Sequence, residues 1–293
     1  MNADLQSVPT KTHRDENFPV ASQLIAARHR PVILAFYHFV RAADDIADNP
    51  ELTSEQKLAG LDRYEATLTG QTDDIGVACA LRAILAERQL SPRHALDLLH
   101  AFRMDALKNR YENFDELMHY CAYSAAPVGR FVLDVHGESE RTWLASDALC
   151  SALQIINHLQ DCGADYRNLD RVYVPLDALA LEGTNVEALG AEKASPALLA
   201  CLHKIAARTG DLVQVGWQLP SLVQDFRLCL ETAVIARLAR VLVNGLRHRD
   251  PLSETVHLPK PRVLGWTIVG IGEGISHCAR RAGSRIAMSG KGV

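Results

Sequence analysis

Apolar residues recur at three- and four-residue intervals along almost the whole chain, a spacing that predicts helices. The stretch PVASQLIAARHRPVILAFYHFVRAADDIAD, residues 19–48, reads as two helices split near Pro31. TSEQKLAGLDRYEATL opens on a capping box, Thr53 with Gln56. GVACALRAILAERQL is followed by SPRHALDLLHAFRMDALKN, with Ser91 as the expected N-cap and Pro92 in the first turn. FDELMHYCAYSAAPVGRFVLDVHG reads as one long helix kinked at Pro127 and Gly129. RTWLASDALCSALQIINHLQDCGADY follows, then a long irregular stretch over residues 167–194. Two further helical runs cover 195–223 and 226–248, and a tail over 265–283 carries GIGEG at 270–274, where a helix break is expected. No strand precedes that glycine cluster, so it is not a dinucleotide fingerprint. No β-branched alternating run, repeat or linker interrupts the pattern. The expectation is a single all-α domain, residues 1–293, of about ten helices.

Composition narrows the function classes. With 48% hydrophobic residues the chain can bury a full core. Its net charge of -4 and its lack of basic runs argue against a grip on nucleic acid phosphates. Seven scattered cysteines form no C-x-x-C pair, which argues for a reducing compartment and against a disulfide framework or zinc site. A polar N-terminus shows no signal peptide, and no apolar run approaches the ~18 residues of a spanning helix. The expected location is the cytoplasm. Arg280, Arg281 and Arg285 beside WTIVGI offer a contact with the inner membrane surface, although an ordinary terminal helix fits the same residues. The sequence does not give an oligomeric state.

Two helices turn acidic where they should stay apolar. Tyr37, Arg41, Asp44 and Asp48 fall within roughly 60° of one another on a helix, with Asp45 at the edge of the line. Gln154, Asn157, Asp161 and Asp165 share a face within roughly 80°. Either line alone fits a solvated helix face. Two lines of matching spacing, each following an apolar run, fit a carboxylate-lined cleft if they face each other across a bundle. Carboxylates and an amide are hard oxygen ligands suited to Mg²⁺, which keeps several waters and completes its shell with phosphate.

These residues carry a resemblance. Y-x-x-x-R-x-x-D-D-x-x-D (Tyr37 to Asp48) and Q-x-x-N-x-x-x-D-x-x-x-D (Gln154 to Asp165), with DRVYVP after it, resemble the trans-head-to-head prenyl synthases, which include squalene, dehydrosqualene and phytoene synthases. The similarity runs from about Asn17 to about residue 245. It implies an isoprenoid-synthase bundle around a deep apolar cavity, with a prenyl diphosphate as substrate and Mg²⁺ as cofactor. The implied metal ligands are Asp44, Asp48, Asp161 and Asp165, with Asn157 assisting. Arg41 would contact diphosphate, Tyr37 would sit near the diphosphate or the cation, and Gln154 would line the pocket. Arg171 joins the substrate-binding set, and Tyr173 could reach the diphosphate or the cation. Asp105 and the pair Arg110 and Tyr111 could close over the site, against the simpler reading of a structural ion pair.

The first helix separates the branches. Phytoene- and dehydrosqualene-type synthases usually carry an S-K-S-F-like stretch there, whereas this chain has DENFPVAS at 15–22. That stretch, with FYHFVRAADDIAD and YCAYSAAPVGRFVLDVHG, is similar to the branch of bacterial hopanoid synthesis that converts presqualene diphosphate to hydroxysqualene without NADPH. Two positions depart from the wider family: Ala164 stands where a glutamate is common, and Asp170 where a glycine often precedes Arg171. A lost carboxylate and a lost lysine fit a one-substrate reaction better than the coupling of two diphosphates. Asn17, beside Phe18 in the substrate pocket, is the expected holder of a water that quenches the cation. The alternatives are a presqualene diphosphate, dehydrosqualene or phytoene synthase, a terpene cyclase, or a non-catalytic helical lipid-binding protein.

Overall fold

The computed structural model describes residues 24–289, with side chains to Arg281. Asn17 and Phe18 lie outside the described residues, as does the side chain of Arg285. The described residues form helices α1 (Arg30–Ala47), α2 (Ser54–Leu68), α3 (Gly76–Arg88), α4 (Arg93–Leu107), α5 (Phe114–Ser124), α6 (Ala126–Val135), α7 (Trp143–Leu169), α8 (Leu176–Leu181), α9 (Pro196–Gly216), α10 (Leu219–Leu222), α11 (Phe226–Leu246) and α12 (Lys260–Ser289). They include no strand, only an isolated bridge between Arg110 and Val172. The all-α expectation is met.

Two apolar clusters make the core. The first joins α1 to α4 through Val32, Phe39, Leu61, Leu81 and Leu99. The second joins α5, α7, α9 and α11 through Leu117, Ile155, Ile156, Leu202 and Leu242. Helix α6 serves both, sending Phe131 into the first and Leu133 into the second. Phe39 is fully buried against Tyr64, whereas Phe36 and Phe131 stack at 3.9 Å beside the cavity described below.

Several local expectations hold and several change. The Thr53–Gln56 capping box forms in both directions. Ser91 is not the N-cap of α4; Pro92 holds that position, and Ser91 Oγ instead accepts from the Arg93 amide. Residues 24–29 are turns, so helix begins at Arg30 with Pro31 in its first turn, where a missing amide proton costs nothing. The kink expected near Pro127 is a full interruption at Ala125, with α6 restarting around the proline. GIGEG does not break the last helix, because α12 runs through it. Its glycines serve close packing instead: a Cβ on Gly270 would lie 2.7 Å from Val234 Cα, and one on Gly274 would lie 2.8 Å from a Leu230 methyl.

Asp170 ends α7 in the left-handed conformation, φ 50° and ψ 37°. Aspartate tolerates that region better than most residues, which is how it stands where glycine is common. Its carboxylate also pairs with Arg110. The turn lets residues 172–177 dock along 109–112, with the amides of Val172 and Leu176 donating to the carbonyls of Asn109 and Tyr111 at 2.9 Å each.

None of the described helices is long and apolar enough to cross a membrane. Arg281 donates to the Gln224 carbonyl and Arg280 to that of Ser276, so both guanidinium groups already have partners within the protein.

Replacing Gly270 by valine should force α11 and α12 apart. Overpacking of this kind costs about 1–3 kcal/mol, so thermal unfolding should shift down by several degrees. An unchanged midpoint would show that the helix pair is not closely packed there.

Candidate active site

The acidic line of α1 meets the segment that follows the second acidic line. Arg171, delivered by the turn after α7, places Nη1 2.7 Å from Asp48 Oδ1 on α1, 123 residues away in the chain. Arg171 is 6% exposed and held by burial among Asp48, Asp105 and Tyr173, so this bridge is not a loose surface pair. On α1 itself, Arg41 binds Asp44 and Asp45 at 2.8 Å each. The positive charge that the acidic stretch requires is therefore supplied by Arg41 from within and by Arg171 from across the bundle.

Charge compensation is incomplete. Burial, and then the charge of Asp48, push the Asp44 carboxyl up to about 8 against the pull of Arg41, although 27% of its side chain stays exposed. Burial sets the direction, and the neighbouring charges of Asp48, Asp105 and Asp45 add to it. A cation between the lines would remove that repulsion.

The first line opens onto a cavity of about 440 Å³. Tyr37, Arg41 and Asp44 from α1 and Gln154 from α7 stand on its wall. The rest of the lining is largely apolar, including Phe36, Phe102, Phe131, Leu149 and Ile235. A polar mouth on an apolar chamber is the arrangement an amphiphile needs, charged head at the entrance and hydrocarbon within. Asp48, Asn157, Asp161, Asp165 and Arg171 do not line the chamber. Asp161 and Asp165 lie along the last turns of α7 towards the Arg171 bridge, and Asp161 has His257 3.7 Å away.

Tyr173 stands behind the cavity wall. It is 7% exposed, stacks on His158 with ring centres 3.5 Å apart, and donates its hydroxyl to Asp105 at 3.1 Å. Tyr120, which does line the cavity, donates to the other oxygen of Asp105 at 2.8 Å. Burial raises the Asp105 carboxyl to about 6, against Arg171 and the two hydroxyls. Burial lowers the His158 imidazole to about 3, so it is neutral at physiological pH. Asp105 is thus held by the two tyrosines, and Arg110 forms a structural ion pair with Asp170.

Tyr120, His158 and Lys57 were not singled out from the sequence. Lys57, on α2, is half-buried, and burial followed by the charge of Arg171 lowers its pKa. A tyrosine inside an apolar helix and a lysine two residues after a glutamate give no local signal. Only the tertiary placement of α5 and α2 around Asp105 and Asp48 brings them in.

Mg²⁺ fits the donors that are present. Among the described residues no three carboxylate, histidine or cysteine side chains converge into a ready-made cage. Mg²⁺ takes one or two carboxylates and leaves its other positions to water and phosphate oxygens. The donors are hard oxygens, and the unbalanced charge at Asp44 favours a cation.

The profile of the squalene/phytoene synthase family matches residues 11–262. A hydroxysqualene synthase of Rhodopseudomonas palustris is 57% identical over 272 residues, covering 93% of this chain and 92% of that protein. A hydroxysqualene synthase of Zymomonas mobilis is 48% identical and covers 89% of each. Among solved structures, squalene synthase HpnC from Alicyclobacillus acidocaldarius is 31% identical, with TM-score 0.70 over 78% of this chain and 86% of that one. A dehydrosqualene synthase in complex with ligand shares the fold, with TM-score 0.75 at 23% identity over 89% of this chain and 93% of that one. A profile match over most of the length, joined to relatives of this identity, settles the kinship: the chain belongs to the squalene/phytoene synthase family of enzymes.

Proposed function

We propose that this enzyme converts presqualene diphosphate to hydroxysqualene, releasing diphosphate with Mg²⁺ and ending the carbocation with water, as a step of hopanoid synthesis. The observation that carries the proposal is the acid line of α1 on the wall of an apolar chamber, tied through Asp48 to Arg171 in the segment after α7. The relatives named hydroxysqualene synthase, at 57% and 48% identity, support the choice of product.

Asp44, Asp48, Asp161 and Asp165, with Asn157, would hold Mg²⁺, which supplies Lewis-acid neutralisation of the departing diphosphate. Arg41 and Arg171 supply fixed positive charge at the same mouth, so charge developing on the leaving group meets donors already in place. Tyr37 and Gln154 stand on the wall where the charged head gives way to hydrocarbon. The apolar lining excludes bulk water, so the cation survives long enough to rearrange before a positioned water reaches it. The exposed residues Leu264, Ile268 and Ile275 recur along one side of α12, the face on which the proposal places contact with a lipid surface that holds an insoluble C30 product.

Three measurements test the proposal. Asp44→Asn and Asp161→Asn each remove a charged ligand while keeping shape, and each should lower turnover by at least ~10²-fold; near-normal rates in both would sink the paired-line mechanism. Mg²⁺ with inorganic diphosphate should raise the melting temperature by binding the native state, and Mg²⁺ alone should do much less because diphosphate completes its shell. An equal shift from Mg²⁺ alone would argue for a standing metal site. In ¹⁸O-labelled water, presqualene diphosphate should yield labelled hydroxysqualene with no change on adding NADPH. Hydrocarbon as the main product, or squalene rising with NADPH, would refute the water quench. Turnover of farnesyl diphosphate alone would instead indicate a coupling enzyme.

A further inference from the structure

Helices α11 and α12 run antiparallel with their backbones close together. Gly270 meets Val234, and one turn later a Cβ on Gly274 would lie 3.1 Å from Leu230 Cα, an approach that glycine alone permits. One further turn along α12 brings Cys278 onto Cys229 of α11, with the two sulfurs 3.1 Å apart. A disulfide demands closely spaced backbones, which the glycine contact supplies. The sulfurs then need only ~1 Å more of approach to reach the bond length of ~2.05 Å.

The two thiols differ in setting. Cys229 is fully buried, and its thiol donates to the Pro220 carbonyl at 3.1 Å. Burial, and then Cys278, push the Cys229 thiol up to about 12, so it keeps its proton until a reaction removes it. Cys278 is half-buried, and Arg281 Nη2 lies 3.9 Å from its sulfur. Charge that develops on that sulfur therefore meets a cation. A partly exposed sulfur beside a guanidinium is the setting of a reactive cysteine. A second cysteine in contact with it stands where a resolving partner is needed.

We propose that Cys278 and Cys229 form an oxidation site, which a hydroperoxide closes into a reversible disulfide that clasps α12 to α11. The inference is independent of the reaction proposed above. The Cys278 sulfur attacks the peroxide, whose O–O bond breaks. Cys278 becomes a sulfenic acid, and the other oxygen leaves as water or alcohol with the thiol proton. The Cys229 sulfur then attacks the sulfenic sulfur. An S–S bond forms, the S–O bond breaks, and the hydroxyl leaves as water with the Cys229 proton. Two thiols are oxidised by two electrons, and the peroxide is reduced by the same two. A dithiol reductant restores both thiols by exchange. The bond would join positions 49 residues apart and tie α12 to the helix whose Leu228, Glu231, Thr232 and Ile235 stand on the chamber wall. A reversible disulfide of this kind is the type that a reducing compartment admits.

The test treats the reduced, folded, full-length chain with hydrogen peroxide. The protein should become lighter by two hydrogen atoms, lose two of its seven thiols, and yield on digestion a peptide pair linked through Cys229 and Cys278. The buried Cys121, Cys162 and Cys201 should stay reduced. A dithiol should reverse all of these changes. Cys278→Ser should abolish the link, and Cys229→Ser should stop at the sulfenic acid, trapped as a dimedone adduct on Cys278. The linked protein should unfold several degrees higher than the reduced one, because the bond constrains the unfolded chain. The Cys278→Ser midpoint should not respond to peroxide. Two intact thiols after treatment, overoxidation of Cys278 without a link, a link to another cysteine, or a link that forms only in denaturant overturns the proposal. An unchanged midpoint in the linked protein overturns the clasp. If Cys229→Ser does not fold, the peptide map of the unmodified chain and the Cys278→Ser control decide.

Discussion

Buried and half-buried carboxylates on two helices repel unless positive charge lies between them, and the bridge from Arg171 to Asp48 is where this fold answers that constraint. The bridge depends on a chain of local choices. Asp170 must take the left-handed conformation to end α7, the following strand-like segment must dock on residues 109–112, and only then does the guanidinium reach α1. The two apolar clusters hold α1 and α7 in place on either side of α6, and the cavity lies where the clusters adjoin. The mouth of the chamber and the charge balance at that mouth are therefore one structural problem.

The layer behind the mouth extends the same logic. Asp105 accepts from Tyr120 and Tyr173, and the neutral His158 stacks on Tyr173. Burial drives this carboxyl up while Arg171 pulls it down, so Arg171 acts on both Asp48 and Asp105. Loss of Arg171 would leave the buried Asp105 and the half-buried Asp48 without their shared cation, a larger disturbance than the loss of an exposed pair.

Much of the site was legible in the chain because helical periodicity preserves it. The i, i+4 spacing of Tyr37 and Arg41 and of Asp44 and Asp48, and the run from Gln154 to Asp165, can be read without tertiary information. The left-handed turn at Asp170 left a trace in its departure from glycine. What stayed hidden depends on which helix packs where. Glycines at 270 and 274 suggest a break when read alone and close packing once α11 is their neighbour. Pro127 signalled a disturbance but not that the helix would stop and restart. Glu231 in LCLETAV looks like any polar residue of an amphipathic helix, and only the cavity shows that its side faces inward. Tyr120 and Lys57 give no signal of period or motif.

The central claim is that the two acid lines act as one metal–diphosphate site. Crystals grown with Mn²⁺ and a non-hydrolysable prenyl thiodiphosphate would test it most directly, through the anomalous signal of manganese. The account predicts ions between the Asp44–Asp48 line and the Asp161–Asp165 line, in contact with the diphosphate, and the hydrocarbon tail in the chamber of Phe36, Phe131 and Leu149. Ions on one line only, or a diphosphate seated away from Arg41 and Arg171, would contradict it.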